Sequence, residues 1–262
     1  MRYISLFILI IFIGCSDEVS PLKECRLTQI SVTGTDFVTT TSYTYNASGK
    51  MHKQIRTRNG TTIFDYTFSY NTDGKVDKVD MVTEYTQHEY DTDGRIASVK
   101  TYSTAGDPKY TSLYNWTADN VKITYTKSDS PNPFQIITLE FLNENIVKKT
   151  IQFYSGEEPN VLQTIHVSSF EDFDDKRSAF YIASFTRPGF AVELSKNNPG
   201  KVVYQTTNYD SDGAVLQEST SADLYTYTYN TSNAAITSHA ELNSGSIMLD
   251  TEITYDQCES NL

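Results

Sequence analysis

The sequence predicts an all-β fold: a many-stranded antiparallel hairpin meander, closed or strongly curled into a barrel-like sheet, with at most one short helix. Three observations predict it. First, the hexamer Tyr70-Asn71-Thr72-Asp73-Gly74-Lys75 recurs as Tyr45-Asn46-Ala47-Ser48-Gly49-Lys50, Tyr90-Asp91-Thr92-Asp93-Gly94-Arg95 and Tyr209-Asp210-Ser211-Asp212-Gly213-Ala214, with a worn copy at Tyr229-Asn230-Thr231-Ser232-Asn233-Ala234. Second, the runs entering these hexamers alternate: Phe64, Tyr66, Phe68 and Tyr70 are interleaved with Asp65, Thr67 and Ser69, and Tyr225, Tyr227 and Tyr229 with Thr226 and Thr228. A period of two puts the rings on one face and the polar residues on the other. Third, steps of 25, 20, 26 and 25 residues link Tyr45, Tyr70, Tyr90, Trp116 and Phe141, and steps of 20 and 26 link Tyr209, Tyr229 and Tyr255. Such regularity marks an array of one supersecondary unit whose neighbours bury each other's apolar faces.

Each hexamer reads as the corner of an antiparallel hairpin. Asn or Asp suits the first position of a type I turn because its side chain bonds backbone two residues on, and Gly suits the fourth. The turn glycines are Gly49, Gly74, Gly94 and Gly213. Positive φ costs glycine nothing sterically, so the turn can pass into a bulge that restores strand twist. In the worn copy Asn233 stands where Gly is usual, and Asn tolerates the same φ.

The N-terminus carries an address. Met1-Arg2 is a short basic start, Tyr3 to Ile13 is apolar apart from Ser5, and Ile13-Gly14-Cys15 ends the run. Eleven residues suit a signal-peptide core and fall short of the ~20 that a spanning helix needs. The ending resembles the lipobox of bacterial lipoproteins, with Phe12 where Leu is usual. The resemblance implies a signal peptide over 1–14, lipidation at Cys15, and a tether over 15–24 before a single domain at 25–262. Acidic residues directly after Cys15, in Ser16-Asp17-Glu18, resemble the signal that sends some Gram-negative lipoproteins to the cell surface.

With Cys15 acylated, Cys25 and Cys258 remain, 233 positions apart. An exported chain meets an oxidising compartment, and the expectation is that these two pair. Chain entropy credits so long a loop with roughly 5 kcal/mol. A bridge there also requires the first strand region (Leu27 to Val32) and the last (Ile247 to Tyr255) to be neighbours.

Strands are expected at 37–45, 50–57, 61–70, 75–82, 85–90, 95–102, 110–116, 120–127, 134–142 and 145–154, with Pro108, Pro131 and Pro133 in connections. Residues 155–200 break the period. Val161 to Ser168 reads as a strand. The remainder, with Phe170-Glu171-Asp172-Phe173-Asp174-Asp175-Lys176-Arg177, reads as an irregular insert holding the one short helix. Hairpins resume at Lys201.

Removal of residues 1–14 leaves 20 basic and 33 acidic residues. That balance speaks against nucleic acid and against electrostatic docking on anionic lipid, leaving the N-terminal lipid as the membrane contact. His52, His88, His166 and His239 are scattered singly, without metal-ligand spacing, and neither a Gly-x-Ser-x-Gly elbow nor a Cys–His pattern is present. No catalytic residue, cofactor or metal is therefore assigned. Asp91-Thr92-Asp93-Gly94 and Asp210-Ser211-Asp212-Gly213 match only the start of a calcium loop. The cluster Glu171, Asp172, Asp174 and Asp175 is the candidate cation or partner surface. Trp116, the one Trp, falls at a core position of the repeat.

The Tyr-Asn/Asp-x-Asp-Gly-Lys/Arg units resemble the YD repeats of Rhs-type surface proteins. The wider pattern resembles a family of uncharacterised Gram-negative lipoproteins with a porin-like β fold. It is carried by Phe173-Asp174-Asp175-Lys176, Ser195-Lys196-Asn197-Asn198-Pro199 and Tyr225-Thr226-Tyr227-Thr228-Tyr229-Asn230. The resemblance implies fold and an outer-membrane anchor facing the periplasm or cell surface, and brings no catalytic residues. One polar and one ringed face suit a sheet closed around an aromatic interior rather than a lipid-exposed barrel. The expected function is a non-enzymatic scaffold or binding module. The alternatives are a carrier of an apolar ligand inside the barrel and a glycan-binding or carbohydrate-active protein.

Overall fold

The computed structural model describes residues 26–157, 159–179, 195–242 and 247–256. These residues form sixteen strands: β1 (Arg26–Gly34), β2 (Phe37–Tyr45), β3 (Met51–Arg58), β4 (Thr61–Tyr70), β5 (Val76–Asp80), β6 (Glu84–Tyr90), β7 (Ile96–Ser103), β8 (Pro108–Trp116), β9 (Asn120–Lys127), β10 (Pro133–Leu142), β11 (Asn145–Tyr154), β12 (Leu162–Arg177), β13 (Asn197–Tyr209), β14 (Val215–Tyr229), β15 (Ala235–Leu242) and β16 (Ile247–Asp256). Each pairs antiparallel with its sequence neighbours, and β1 pairs with β16 to close the barrel. The seam runs from Arg26 opposite Asp256 to Thr33 opposite Asp250. First and last strands are therefore neighbours, as expected. Cys15, Cys25 and Cys258 lie outside the described residues.

The hexamers are corners, and the Asn or Asp does more than close a two-residue step. Asn46 Oδ1 accepts from the backbone N–H of Ser48 and of Lys50. Asp210 treats Asp212 and Ala214 alike, and Asn230 treats Ser232 and Ala234 alike. The backbone N–H of Asn46, Asn71, Asp91, Asp210 and Asn230 also bonds the carbonyl four residues on. Asn233 takes φ 58°, the role its position required.

Counting strands separates the corners into two groups. Those at 46–50, 71–75, 91–95 and 230–234 lie at the end where β1 begins, here the proximal end. The corner at 210–214 joins β13 to β14 at the opposite, distal end. The sequence reading treated it as one more copy of the same unit; the structure corrects that.

Two further corrections concern the supposed insert and the prolines. β12 continues to Arg177 and is the longest strand, with 16 residues, and β13 starts at Asn197. The acidic octamer is thus a strand. Its period broke because both Phe170 and Phe173 pack into the core at a spacing of three, accommodated by a left-handed backbone at Asp172, φ 55°, while the register itself shifts only after Phe173. The short helix was expected somewhere in 155–200; residues 180–194 of that stretch lie outside the described residues. Pro108 and Pro133 are first residues of strands rather than loop residues, a position that asks for no ladder N–H.

The two faces of the wall differ. Cross-strand partners share a face, so the register assigns each side chain. Leu27, Tyr43, Met51, Phe68, Val76, Val99, Ile123, Leu139 and Ile253 point inward and are buried. Apart from Val99 they belong to two clusters, one on β1–β5, β15 and β16 and one on β9–β13. Ala179, just beyond β12, is buried in the first cluster. The outward face carries mid-strand ion pairs: Lys53–Asp65 at 2.9 Å, Lys100–Glu89 at 2.7 Å, Lys148–Glu140 at 3.1 Å and Lys201–Glu171 at 2.8 Å. At the midplane of a bilayer each exposed Lys costs about 2–4 kcal/mol, so this wall is not a lipid-facing band. Tyr85 and Tyr102 face outward instead, stacked with centroids 5.1 Å apart.

Candidate functional site

The proximal end is fastened in two ways. Aromatics at five places along this end, Tyr45, Tyr70, Tyr90, Trp116 and Tyr255, reach back to the strand before their own. Tyr45 Oη donates to the Leu27 carbonyl at 2.6 Å, Tyr70 to Met51 at 2.5 Å, Tyr90 to Val76 at 2.7 Å and Tyr255 to Ala235 at 2.9 Å. Trp116, half-buried rather than fully enclosed, substitutes its Nε1–H, donating to Ile96 at 2.7 Å. The cation after each corner then lies over the ring of the next: Lys50 over Tyr70, Lys75 over Tyr90 and Arg95 over Trp116, with Arg26 over Tyr45 starting the series. The result is a girdle that links consecutive hairpins.

Burial pushes the hydroxyls of Tyr45, Tyr70 and Tyr90 up to about 12. Each native phenol keeps its proton after the unfolded phenol, near 10, has lost it. Unfolding then releases protons, so stability is fully present below pH 10 and is lost as pH rises through 12. Thermal melts across pH 8–12 are expected to show this fall. In the Tyr70→Phe variant the fall is shallower, while the melt at pH 8 drops by the worth of one hydrogen bond, about 1 kcal/mol.

The second fastening unites the three segments that carry the family resemblance. Ser195 Oγ accepts from the Ile146 N–H at 3.0 Å, Lys196 N–H donates to the Glu144 carbonyl, and Asn197 exchanges bonds with Asn145. Asn198 donates from its backbone to Asp174 Oδ1 at 3.1 Å and from Nδ2 to Asp174 Oδ2 at 3.0 Å. Tyr229 donates to the same carboxylate, and Tyr227 donates to the Pro199 carbonyl at 3.0 Å. These motifs therefore tie β11, β12, β13 and β14 together where the chain leaves and re-enters the wall.

That clamp also places the acidic candidates, which do not converge. Glu171 pairs outward with Lys201, Asp175 with Lys176, Asp172 takes a left-handed backbone and Asp174 is held by Asn198 and Tyr229. Among the described residues no group of three His, Cys, Asp or Glu is placed to hold a metal ion. The histidines are likewise dispersed. His166 meets Thr206 at 2.8 Å, His239 pairs with Asp250, and His88 is buried against Thr86 with its pKa pushed down to about 4 by burial.

The inward face changes toward the distal end. Phe64, Tyr66, Tyr125 and Phe153 are half-buried, and Tyr110 is 38% exposed although its partner Thr101 shares the inner face. Phe134 packs against Tyr110 and Tyr125, at 5.8 and 6.3 Å between centroids. A sixteen-strand barrel is too wide for wall side chains alone to fill. The geometry gives a packed proximal floor and a wetter, ring-lined distal interior. Sequence reasoning missed this site, because it lies between corners and its members come from strands far apart in the chain.

No protein-family model matches the chain, and no curated protein sequence matches it. Solved structures do. A porin-like protein from Bacteroides uniformis aligns over 88% of this chain and 98% of its own, at 14% identity and a TM-score of 0.57. A porin-like protein from Bacteroides vulgatus aligns over 89% of this chain and 100% of its own, at 11% identity and the same TM-score. At these identities the likeness is one of fold: the chain is an antiparallel barrel similar to those of the two Bacteroides porin-like proteins.

Proposed function

We propose that the protein is a non-enzymatic binding module, tethered to the outer membrane through a lipid on Cys15, that receives its ligand in the distal interior of the barrel. The observation that carries this reading is the contrast between the two ends. The proximal end, where Arg26 leads back to the tether, is sealed by girdle and clamp. The distal inner face keeps rings and hydroxyls in contact with water. A tether at the sealed end turns the other end away from the bilayer. The polar outer wall suits a domain standing in water beside the membrane. The half-wet rings favour binding over a pure scaffold, since a scaffold has no use for aromatic area left uncovered.

Protease shaving of intact cells, followed by a glycan and lipid screen of the full-length protein, tests address and ligand together. Palmitate labelling that is lost in Cys15→Ser is expected, together with a ligand whose binding falls at least tenfold in Tyr66→Ala. Unchanged labelling in Cys15→Ser removes the anchor. A ligand that binds Tyr66→Ala and Phe153→Ala as well as the parent removes the distal interior as the site.

A further inference from the structure

We infer that the distal interior takes an oxyanion, a sulfate, phosphate or carboxylate group, between Arg56 and Arg58. This rests on the reading of the distal interior as the ligand site. The two arginines stand at alternate positions of β3. Register places Arg56 opposite Thr41 and Arg58 opposite Thr39, on the face of buried Tyr43 and Gln54, so both point inward. Alternate positions on a strand are about 7 Å apart, which sets two guanidinium groups side by side on one face.

Three observations bear on this pair, the third of which the ring-stacked cations of the girdle do not share. First, none of the ion pairs found among the described residues involves Arg56 or Arg58, although the outer wall pairs Lys53, Lys100, Lys148 and Lys201 with carboxylates. The chain is acidic overall, yet among the described residues no carboxylate forms an ion pair with these two guanidiniums. Second, both are braced by rings instead. Arg58 lies over Phe37 at 4.6 Å from its centroid, and Arg56 over Phe64 at 5.7 Å. A cation over a ring face is held by the ring's quadrupole without using up its N–H donors, and a guanidinium fork is suited to a planar or tetrahedral oxyanion. Third, Arg56 Nε is buried and meets no acceptor. A buried donor without a partner costs about 1–3 kcal/mol, and an incoming oxygen removes that cost.

Lys149 extends the same bias. It lies inside opposite Leu139, and burial alone lowers its pKa, with no carboxylate beside it. The inner wall therefore carries cations as well as a carboxylate: Asp223 of β14, opposite Val202, is also inward and buried, while the arginine pair stands on β3. Thr39 and Thr41 on the same face are buried, so an anion reaches the pair from the side on which Arg58 is exposed, and half-buried Tyr66 offers a flat face for the body that carries the anion.

The test uses the full-length protein, calorimetric titration and thermal melts at fixed ionic strength in chloride. The probes are inorganic sulfate, inorganic phosphate, a sulfated disaccharide and the same disaccharide without sulfate. The variants are the double substitution Arg56→Gln with Arg58→Gln, and an outward control of equal charge change, Lys53→Gln with Lys122→Gln. Expected is binding of at least one oxyanion probe that weakens tenfold or more in the inward double variant and is unchanged in the control. A sulfated disaccharide that outbinds inorganic sulfate identifies a carried group; equal binding identifies the free ion. An oxyanion that binds both double variants like the parent overturns the inference. So does a parent that no oxyanion stabilises while the inward variant melts lower, which makes the arginines struts. Failure of every anion with retention of a neutral ligand sensitive to Tyr66→Ala sinks the anion site and spares the distal interior. Failure of all ligands sinks both.

Discussion

Asp174→Ala is expected to cost roughly 3–5 kcal/mol, among the largest effects of any polar substitution in this chain. The carboxylate accepts from the Asn198 backbone, from Asn198 Nδ2, from the Lys176 backbone and from the Tyr229 hydroxyl. Asn198 is 3% exposed, so water does not replace the lost acceptor. Bonds to an ionised acceptor contribute about 1.5–3 kcal/mol each, and the stranded donors add their own desolvation. A domain of this size loses about 2–4 °C of Tm per kcal/mol. Tyr229→Phe removes one donor and is expected to cost about 1–2 kcal/mol. Because both act on one carboxylate, the pair is non-additive, with a coupling of roughly 0.5–3 kcal/mol in a double-mutant cycle. Additive losses in that cycle are incompatible with a shared clamp.

Gly74→Ala is expected to be the more damaging of two substitutions that look alike on paper. Gly74 and Gly213 have nearly the same φ, 79° and 83°. A left-handed backbone costs a residue with a Cβ about 1–2 kcal/mol, and both sites incur that. At Gly213 the added methyl meets nothing within 4 Å. At Gly74 it meets Lys50 Nζ at 2.0 Å, the ammonium that lies over Tyr70. A lysine tip moves readily, so the additional loss is the cation–ring contact, about 0.5–1 kcal/mol. Chemical denaturation is expected to rank Gly74→Ala below Gly213→Ala by that margin, and Lys50→Ala is expected to erase the difference. Equal losses in both backgrounds would show that the girdle contributes nothing.

These two cases also mark how far the sequence could be read. Strand limits at Phe37–Tyr45, Asn120–Lys127 and Asn145–Tyr154 were legible to the residue, because Asn, Asp and Gly chemistry fixes where a hairpin turns. β12 was not, because Phe170 and Phe173 sit three apart. The left-handed backbone at Asp172 that reconciles such a spacing with a strand leaves no local signature except that residue itself. Misreading that stretch lost the strand count, and with it the knowledge that Gly213 turns at the other end. The girdle was hidden for a different reason: it joins Lys50 to a ring twenty positions away, a contact between repeats rather than within one. Arg56 and Arg58 carried a usable signal. Alternation from buried Gln54 sets both on the inner face, but only a charge tally face by face, rather than over the whole chain, makes their isolation visible.

The seam between β1 and β16 has a consequence in time. Thr28 Oγ1 donates to the Thr254 carbonyl, a partner 226 positions away, and the seam as a whole joins residues just as remote. Every other strand finds its mate as soon as the next hairpin emerges, but β1 waits for the final one. Contacts of such range form slowly, and an unpaired strand edge is a template for foreign strands until they do. A chain cut short before Ile247 would present two such edges at once, on β1 and on β15, and growth into intermolecular sheets rather than a smaller ring is its expected fate.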